Sequence, residues 1–228
     1  EQQRNNGGSE SHSASLNNFG RVNYDFMQKY FLEFVWRYDG SYIFPKKGRF
    51  GFFPGVSAGW KISDEAFWKN NLSFINYFKI RASWGKTGND RIAPYQYLSS
   101  YGFSSTPYVF DEDLEVKALN ELRIANPNIT WEVAQQSNIG VDGRVLDNKL
   151  SFSADYFYNL RTNILWQRNA SVPASSGLSL PAENIGEVTN RGFEFQVGYD
   201  GKVADFTYGI TLNGSFAQNK IKFWDETP

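Results

Sequence analysis

The feature of this sequence that most constrains its fold is an alternation of apolar and polar residues that returns eight times. In one segment, for example, Phe152, Ala154 and Tyr156 are separated by Ser153 and Asp155. Successive side chains of a β strand point to opposite faces, so this spacing predicts strands with one apolar and one polar face. The segments are residues 21–26, 32–39, 56–62, 78–85, 138–145, 150–159, 193–200 and 206–216.

The length of these segments favours a membrane barrel. With their flanks they make about eight strands of roughly nine to twelve residues, close to the ~9–11 that cross a bilayer at barrel tilt. Strands of globular proteins average about five or six residues. We therefore predict an all-β fold, an antiparallel transmembrane β-barrel segment.

Composition agrees with the alternation and excludes several classes of protein. Aromatic residues make up 18% of the chain, yet its mean hydropathy is −0.50. Membrane interfaces and sugar-binding surfaces both favour large aromatic side chains. The 23 lysines and arginines balance 24 aspartates and glutamates, so no nucleic-acid partner is indicated. With no cysteine and a single histidine, disulfides and cysteine or clustered-histidine zinc sites are excluded.

The connections between the predicted strands differ in length in an alternating way. Tight turns are predicted at residues 27–29, 146–149 and 200–202, and long polar loops at about 39–53, 88–130 and 161–190. Outer-membrane barrels have short turns on one side and long extracellular loops on the other. Residues 64–75 form a medium connection on the short side, where residues 63–67 could cap one helical turn.

The energetic cost of charge in lipid predicts which face meets the membrane. An arginine or lysine at the bilayer midplane costs ~2–4 kcal/mol in a barrel, so the charged face should line the lumen. The predicted lumen-facing charges are Arg21, Glu33, Arg37, Lys79, Arg81, Asp142, Arg144 and Glu194. The aromatic rows then form two lipid-facing girdles, with Trp36, Tyr38, Trp84, Tyr156 and Tyr158 toward the long loops and Tyr24, Trp60, Tyr199, Phe206 and Tyr208 toward the short turns.

No group of residues in the sequence predicts catalysis or a cofactor. The acidic run 111–113 lacks the full spacing of a calcium loop, and neither Gly-rich phosphate-binding motif occurs. Aromatic residues in the long loops, among them Tyr95, Tyr97, Tyr101 and Trp166, could contact a substrate or a covering protein, although packing between loops explains them equally well.

The alternation alone leaves two rival classes open. A soluble carbohydrate-binding β sandwich also alternates, with its aromatic residues in the core. A β-rich hydrolase would need a carboxylate pair set across its substrate, and the sequence selects none.

Ordered motifs over nearly the whole chain resemble one family of bacterial proteins. Residues 19–26 followed by 29–33 resemble a strand pair of the SusC/RagA family of TonB-dependent outer-membrane transporters of Bacteroidetes. Residues 37–41 with 53–63 are similar to the family's RxDGS and FPSVSAGWRIS run, and residues 78–89 to its LKLRASYGxTGN. The resemblance continues in residues 126–132, 138–142, 154–159 and 184–194.

The resemblance implies a function for a longer parent protein. It implies import of oligosaccharides or peptides across the outer membrane, a SusD-like lipoprotein as a lid, and energy from TonB–ExbB–ExbD through a plug. We expect residues 1–228 to be a partial barrel domain, about eight strands of a 22-stranded barrel, without the plug or the TonB-contacting segment. The segment would supply barrel wall, lumen lining and extracellular loops, with no cofactor and no enzymatic activity.

Overall fold

The computed structural model is an all-β fold built on one large antiparallel sheet. It describes residues 10, 12–104, 108–110, 114–167 and 180–224. The main sheet has eight strands in the order β1-β2-β3-β4-β9-β10-β11-β12. They are β1 (Ser15–Phe26), β2 (Tyr30–Ser41), β3 (Phe50–Lys61), β4 (Ile75–Asn89), β9 (Glu132–Val145), β10 (Leu150–Gln167), β11 (Ala182–Val203) and β12 (Phe206–Phe223). The eight predicted strands are therefore confirmed.

The strands are longer than the alternation predicted, particularly in the second half of the chain. β10 has 18 residues and β11 has 22. The long loop predicted at 161–190 is wrong at both ends, because β10 continues to Gln167 and β11 begins at Ala182. The predicted 39–53 loop shortens likewise to residues 42–49 between β2 and β3. The alternation is broken at these strand ends, for example by the consecutive apolar residues Ile164, Leu165 and Trp166 beside an irregular register. Backbone pairing itself needs no alternation.

The predicted 88–130 loop carries secondary structure of its own. Two small two-stranded sheets lie within it, one pairing β5 (Ser100–Phe103) with β8 (Leu119–Arg123) and the other pairing β6 (Tyr108–Phe110) with β7 (Leu114–Val116). The interpretation of this region as one long polar loop is therefore wrong in part, because short hairpins form inside it.

Two of the three predicted tight turns are confirmed, and the third lies three residues further along. Met27 and Gln28 adopt positive φ angles of 56° and 55°, as a two-residue hairpin turn requires. The third turn was predicted at 200–202, yet β11 continues to Val203. The glycine at 201 serves close approach instead, because a Cβ there would overlap the ring of Tyr208 on the neighbouring strand.

The β3–β4 connection, residues 62–74, contains a short 3₁₀ helix (Ile62–Asp64) and α1 (Ala66–Asn71). The predicted helical turn is thus present, although its N-cap residue, Glu65, makes no side-chain capping hydrogen bond. No helix in the described part of the chain is long and apolar enough to cross a membrane.

Strand register gives the main sheet two chemically distinct faces. Directly paired residues of neighbouring strands lie on the same face. One such row is polar and runs from Glu33 through Ser57 and Ser83 to Asn138; we call its side the polar face. The next row lies on the opposite side of the sheet, which we call the aromatic face. This row contains Leu32, Ala58, Ala82, Ile139, Tyr156, Phe193 and Phe216.

Among the described residues no second sheet layer packs on the main sheet, which argues against the sandwich interpretation. A β sandwich buries the inner faces of two packed sheets, whereas the other sheets among the described residues have only two short strands each. On the aromatic face Phe193 remains 50% exposed and Leu212 remains 64% exposed. The side chains that a sandwich would bury are therefore open to the surroundings.

Hydrophobic burial is concentrated at the long-loop end. Phe44, Phe53, Ile129 and Trp131 form a buried cluster, which we call the loop core. The Trp131 ring lies 5.1 Å from the Phe44 ring and 5.3 Å from the Phe53 ring. The loop core joins the β2–β3 connection to the segment that precedes β9.

Amide side chains fasten the segment before β9 to β11. The Asn184 side chain accepts a hydrogen bond from the Thr130 amide (3.0 Å) and donates to the carbonyls of Thr130 (2.8 Å) and Asn163 (2.9 Å). Asn126 donates to the Ala182 carbonyl (2.7 Å). Because these partners lie far apart in sequence, the loops at this end form a connected unit.

Candidate functional site

The polar face brings together all eight charged residues that were predicted to line a lumen. Strand register pairs Glu33 with Asn23 and Glu194 with Asp155 on the polar face. The remaining six residues are an even number of positions from polar-face residues of their own strands and therefore point to the same side. These six are Arg21, Arg37, Lys79, Arg81, Asp142 and Arg144. That this face lines a lumen stays a prediction.

Arg81 is the centre of the largest charge cluster on the polar face. Its guanidinium donates to Asp142 on β9 (2.9 Å) and to both oxygens of Asp155 on β10 (2.7 and 2.6 Å). The arginine side chain is 35% exposed. The position opposite Arg81 on β9 is Gly140, where a Cβ would meet both the guanidinium and the Asp155 carboxylate. Because Gly140 has no side chain, the Arg81 guanidinium and the carboxylates of Asp142 and Asp155 have room to meet.

The other polar-face cations have weaker partners. Arg21 approaches Glu33 at 3.4 Å, and Arg37 approaches Asp39 at 2.9 Å. Lys79 and Arg144 instead lie over aromatic rings, at 4.6 Å from the Phe31 centroid and 6.0 Å from the Tyr77 centroid. Most of the polar-face charges are thus paired within the sheet or placed over an aromatic ring. Where these contacts are exposed, each stabilises the fold only modestly.

The ten residues predicted as lipid-facing girdles share the aromatic face. Their positions alternate with those of the polar face on every strand. Ring contacts join neighbouring strands: Tyr30 and Trp60 are stacked with centroids 6.3 Å apart, and Tyr199 and Tyr208 are tilted with centroids 6.2 Å apart. Tyr156 and Tyr158 lie in the middle of β10 rather than at its end, because that strand continues to Gln167. Contact with lipid stays a prediction.

The loop aromatics divide into packed and exposed side chains. Tyr97 packs against the loop core, and Tyr95 makes edge contacts with Tyr42 and Tyr97. Trp166 packs against Trp224 in a tilted arrangement with 4.4 Å between ring centroids. Tyr101 on β5 is exposed. Packing therefore accounts for Tyr97 in full, whereas Tyr101 and the open sides of Tyr95 and Trp166 remain available for contact with a ligand or a covering protein.

The described residues contain no cluster of potential metal ligands. No group of three or more potential metal ligands occurs within residues 10, 12–104, 108–110, 114–167 and 180–224. The acidic run at 111–113 lies outside the described residues. The depressions on the sheet are open; one on the polar face, of about 470 Å³, is lined by Glu33, Lys79, Arg81 and Asn138 among others.

Sequence reasoning missed three side chains that organise the structure. Asp155 shares Arg81 with Asp142, Glu65 receives hydrogen bonds from Tyr30 and Trp60, and Asn184 fastens the loops. Only Asp155 had a usable signal, because its place in the alternation puts it on the charged face. The partners of Glu65 and Asn184 depend on how connections fold back, which the alternation does not encode.

Comparison with known proteins gives a family match over almost the whole chain. A family model described as "TonB dependent receptor-like, beta-barrel" matches residues 2–227. TonB-dependent receptor P3 of Formosa agariphila is 36% identical over 204 residues, which are 89% of this chain and 20% of that protein. TonB-dependent receptor SusC of Bacteroides thetaiotaomicron is 29% identical over 206 residues, again 89% of this chain and 20% of that protein. The chain spans about a fifth of the length of these relatives.

Solved structures show the same fold. The RagAB peptide importer in its open-open state matches 97% of this chain and 24% of the compared chain, with a TM-score of 0.79 and 23% identity. The match with the siderophore receptor PirA from Pseudomonas aeruginosa covers 92% of this chain and 35% of the PirA chain, with a TM-score of 0.55 and 14% identity. At these identities the likeness concerns the fold alone.

Proposed function

The chain belongs to the TonB-dependent receptor-like β-barrel family, and from that premise we propose that it forms part of the wall of an outer-membrane importer. Families of this kind are receptors and transporters rather than enzymes. In the proposed assembly the main sheet separates lipid from lumen, and the loops at its long-loop end form part of the extracellular rim. The outer edges of β1 and β12 pair with neighbouring strands of the parent barrel, since an open edge cannot face hydrocarbon.

The observation that carries this proposal is the height of the apolar band on the aromatic face. On β12 each aromatic-face position from Phe206 to Phe216 is apolar or glycine, and Gln218 and Lys220 follow. On β11 the band extends from Val203 to Phe193, and Arg191 follows. Each band is about eleven residues, which matches the ~9–11 that cross a bilayer in a tilted barrel strand. The remaining residues of these long strands would then project beyond the membrane.

The chemistry of the polar face supports a water-filled or protein-filled lumen. Arg81 lies halfway along β4, and its partners Asp142 and Asp155 lie beside it on β9 and β10. Charge at that depth on the lipid side would cost ~2–4 kcal/mol per basic residue. On the lumen side the same groups keep contact with water or with other polar protein surface, so their desolvation cost stays low.

We infer the cargo and the partners from the relatives and not from any pocket in this chain. The relatives include SusC, and one structural neighbour is described as a peptide importer. We propose a carbohydrate oligomer or a peptide as cargo, a SusD-like lipoprotein as the lid over the loops, and TonB–ExbB–ExbD as the energy source. Tyr95, Tyr101 and Trp166 are the proposed rim contacts, because aromatic faces can stack on sugars or peptide side chains.

Surface labelling of intact cells tests the proposed topology. An epitope placed after Ser99 in the full-length receptor should react with antibody on intact cells, because that residue is exposed at the long-loop end. An epitope at Asn148, in the short turn between β9 and β10, should react only after the outer membrane is permeabilised. The reverse pattern would contradict the proposal.

Cargo class and lid are tested separately in the native host. Disruption of the receptor gene should abolish growth on either oligosaccharides or peptides, and inactivation of TonB should have the same effect. Purification in mild detergent should recover a surface lipoprotein in equal amount. Unchanged growth on both nutrient classes would contradict the proposed import, and a receptor that purifies alone would contradict the proposed lid.

A further inference from the structure

The β3–β4 connection differs from the other connections at its end of the sheet. Its neighbours are tight turns, at residues 27–29, 146–149 and 204–205, whereas this connection takes residues 62–74 and contains α1. Because a tight turn would suffice to join two antiparallel strands, the additional residues call for an explanation.

The connection folds back against the aromatic face. The Tyr30 hydroxyl and the Trp60 indole N–H, both on that face, donate to Oε1 of Glu65 at 2.6 and 3.2 Å. Trp68 of α1 stacks on Phe78, another aromatic-face residue, with ring centroids 5.1 Å apart and planes 12° from parallel. Three contacts, one with each of β2, β3 and β4, therefore place α1 on the side of the sheet that is proposed to meet lipid.

The acidic group in this arrangement is neutralised. The Lys29 ammonium lies 3.4 Å from Oε2 of Glu65. The pKa of the Glu65 carboxyl lies below its ordinary value because the Tyr30 hydroxyl, and then the Trp60 indole, donate hydrogen bonds to the carboxylate. A carboxylate paired in this way can lie beside a membrane surface without presenting a free negative charge.

Two aromatic rings and one lysine are among the exposed groups of the connection. Phe67 is 54% exposed and Phe74 is 66% exposed. Lys69 is exposed in the last turn of α1 and has no partner among the residues that the structure describes. Water is an unfavourable environment for phenyl rings, whereas the boundary between headgroups and acyl chains accepts both rings and lysines.

We propose that the β3–β4 connection is an interfacial anchor for the phospholipid leaflet at the short-turn end of the barrel. Phe67 and Phe74 enter the upper acyl region, and Lys69 contacts lipid phosphate. The occupant is phospholipid because α1 packs through Trp68 on the aromatic face, the side proposed to meet lipid, and the same connection exposes two phenyl rings. This inference rests on the proposed function, since it assumes that the sheet spans a bilayer.

Fluorescence quenching by lipid tests the proposal. Single cysteines labelled with bimane are placed at 67, 74 and 70 of the full-length receptor, reconstituted in vesicles of phosphatidylethanolamine with a minority of phosphatidylglycerol. Asn70 is the control, because it is exposed on the same helix and polar. Brominated acyl chains should quench the labels at 67 and 74 several-fold more than the label at 70, and aqueous iodide should give the opposite order.

A fourth label separates this proposal from the proposed function. At Ile139, on the aromatic face of β9, bimane should be quenched by brominated lipid if the sheet spans the bilayer. If brominated lipid quenches the label at 139 while the labels at 67 and 74 are accessible to iodide, the anchor alone is overturned. No lipid quenching at any site would overturn the membrane-spanning sheet as well.

In a further arm, K69E should lower lipid quenching at 67, and N70E should leave it unchanged; equal responses would overturn the phosphate contact.

Discussion

The main sheet and the loop core differ in where their side chains find a nonpolar environment. On the aromatic face of the sheet, residues such as Val22, Ile210 and Phe216 are more than half exposed. In the loop core, Phe44 and Ile129 have no exposed surface. The sheet therefore depends on its surroundings for apolar burial, whereas the loop core supplies its own.

The two regions also differ in how far apart their partners lie in the chain. Nearly all pairs of neighbouring strands in the sheet follow one another in sequence, and the exception, β4 with β9, spans the inserted small sheets. In the loop core, Thr130 bonds to Gly48 and Trp131 to Arg49, each 82 residues away. In the proposed membrane-spanning arrangement, lipid takes over the burial that a second layer provides in soluble proteins, and side chains pack against one another where the chain leaves the membrane.

The largest expected effect concerns the loop core. Trp131→Ala removes a buried ring that contacts Phe44 and Phe53 and donates to the Arg49 carbonyl at 3.2 Å. We expect about 3–5 kcal/mol of local destabilisation, seen as faster amide hydrogen exchange in residues 42–49 and 124–131 of the full-length receptor. Trp36→Ala, on the exposed aromatic face, is the control and should leave exchange in those segments unchanged. Equal exchange in both variants would contradict the distinction between the two regions.

The next effect tests the two faces of the sheet with adjacent residues of one strand. Ile139→Arg places a guanidinium on the aromatic face, in the row of Phe193 and Phe216 that ends the apolar bands of β11 and β12, and should cost up to ~2–4 kcal/mol. Asn138→Arg places the same group on the polar face and should be tolerated. The measurement is the fraction of full-length receptor that migrates as the folded, heat-modifiable species from outer-membrane preparations. Equal folded fractions would contradict the assignment of the faces.

A smaller effect is expected at the charge cluster. Arg81→Met leaves the carboxylates of Asp142 and Asp155 without their shared cation. Because the cluster is about one-third exposed, we expect a loss of about 1–3 kcal/mol, measured as a lower heat-modification midpoint. Arg21→Met removes a single, mostly exposed arginine at 3.4 Å from Glu33 and should shift the midpoint much less. A larger shift for Arg21→Met would show that Arg81 is not the centre of the polar face.

The smallest effect concerns the fastening of the loops. Asn184→Ala removes three hydrogen bonds, to the amide and carbonyl of Thr130 and to the carbonyl of Asn163. We expect a local loss of about 1–2 kcal/mol, read as faster protease cleavage in residues 124–131 with unchanged assembly in the membrane. Asn159→Ala, where the structure shows no side-chain hydrogen bond, is the matched control. If Asn184→Ala blocks membrane assembly instead, the loop end and the sheet are not separate units.

The sequence predicted the sheet well because strand geometry is local. A period of two placed Arg81 and Ile80 on opposite faces without knowledge of any partner. The turn at Met27 and Gln28 was found for the same reason, since hairpin strands pair with their nearest neighbours. The shift of the third turn to residues 204–205 shows the limit, because Gly201 serves ring packing and not chain reversal.

The contacts of the loops could not be predicted in the same way. The partners of Asn184 lie 21 and 54 residues away in the sequence. An asparagine at that position is compatible with many local structures and does not indicate which partners it will bind. The position of α1 against the aromatic face was equally hidden, because the stacking of Trp68 on Phe78 depends on the direction in which the connection leaves β3. Long-range side-chain contacts of this type carry no periodic signal.

The most direct test of the account measures the accessibility of consecutive residues along β9. The chain contains no cysteine, so single cysteines at positions 136–142 of the full-length receptor, except Gly140, can carry nitroxide labels, with any cysteine elsewhere in the receptor replaced. In lipid bilayers the labels at 139 and 141 should collide preferentially with oxygen, and those at 138 and 142 with a water-soluble nickel chelate. The account predicts this alternation with a period of two residues. Preferential collision with the nickel chelate at every position, or exclusion of both reagents at 139 and 141, would contradict a membrane-spanning sheet.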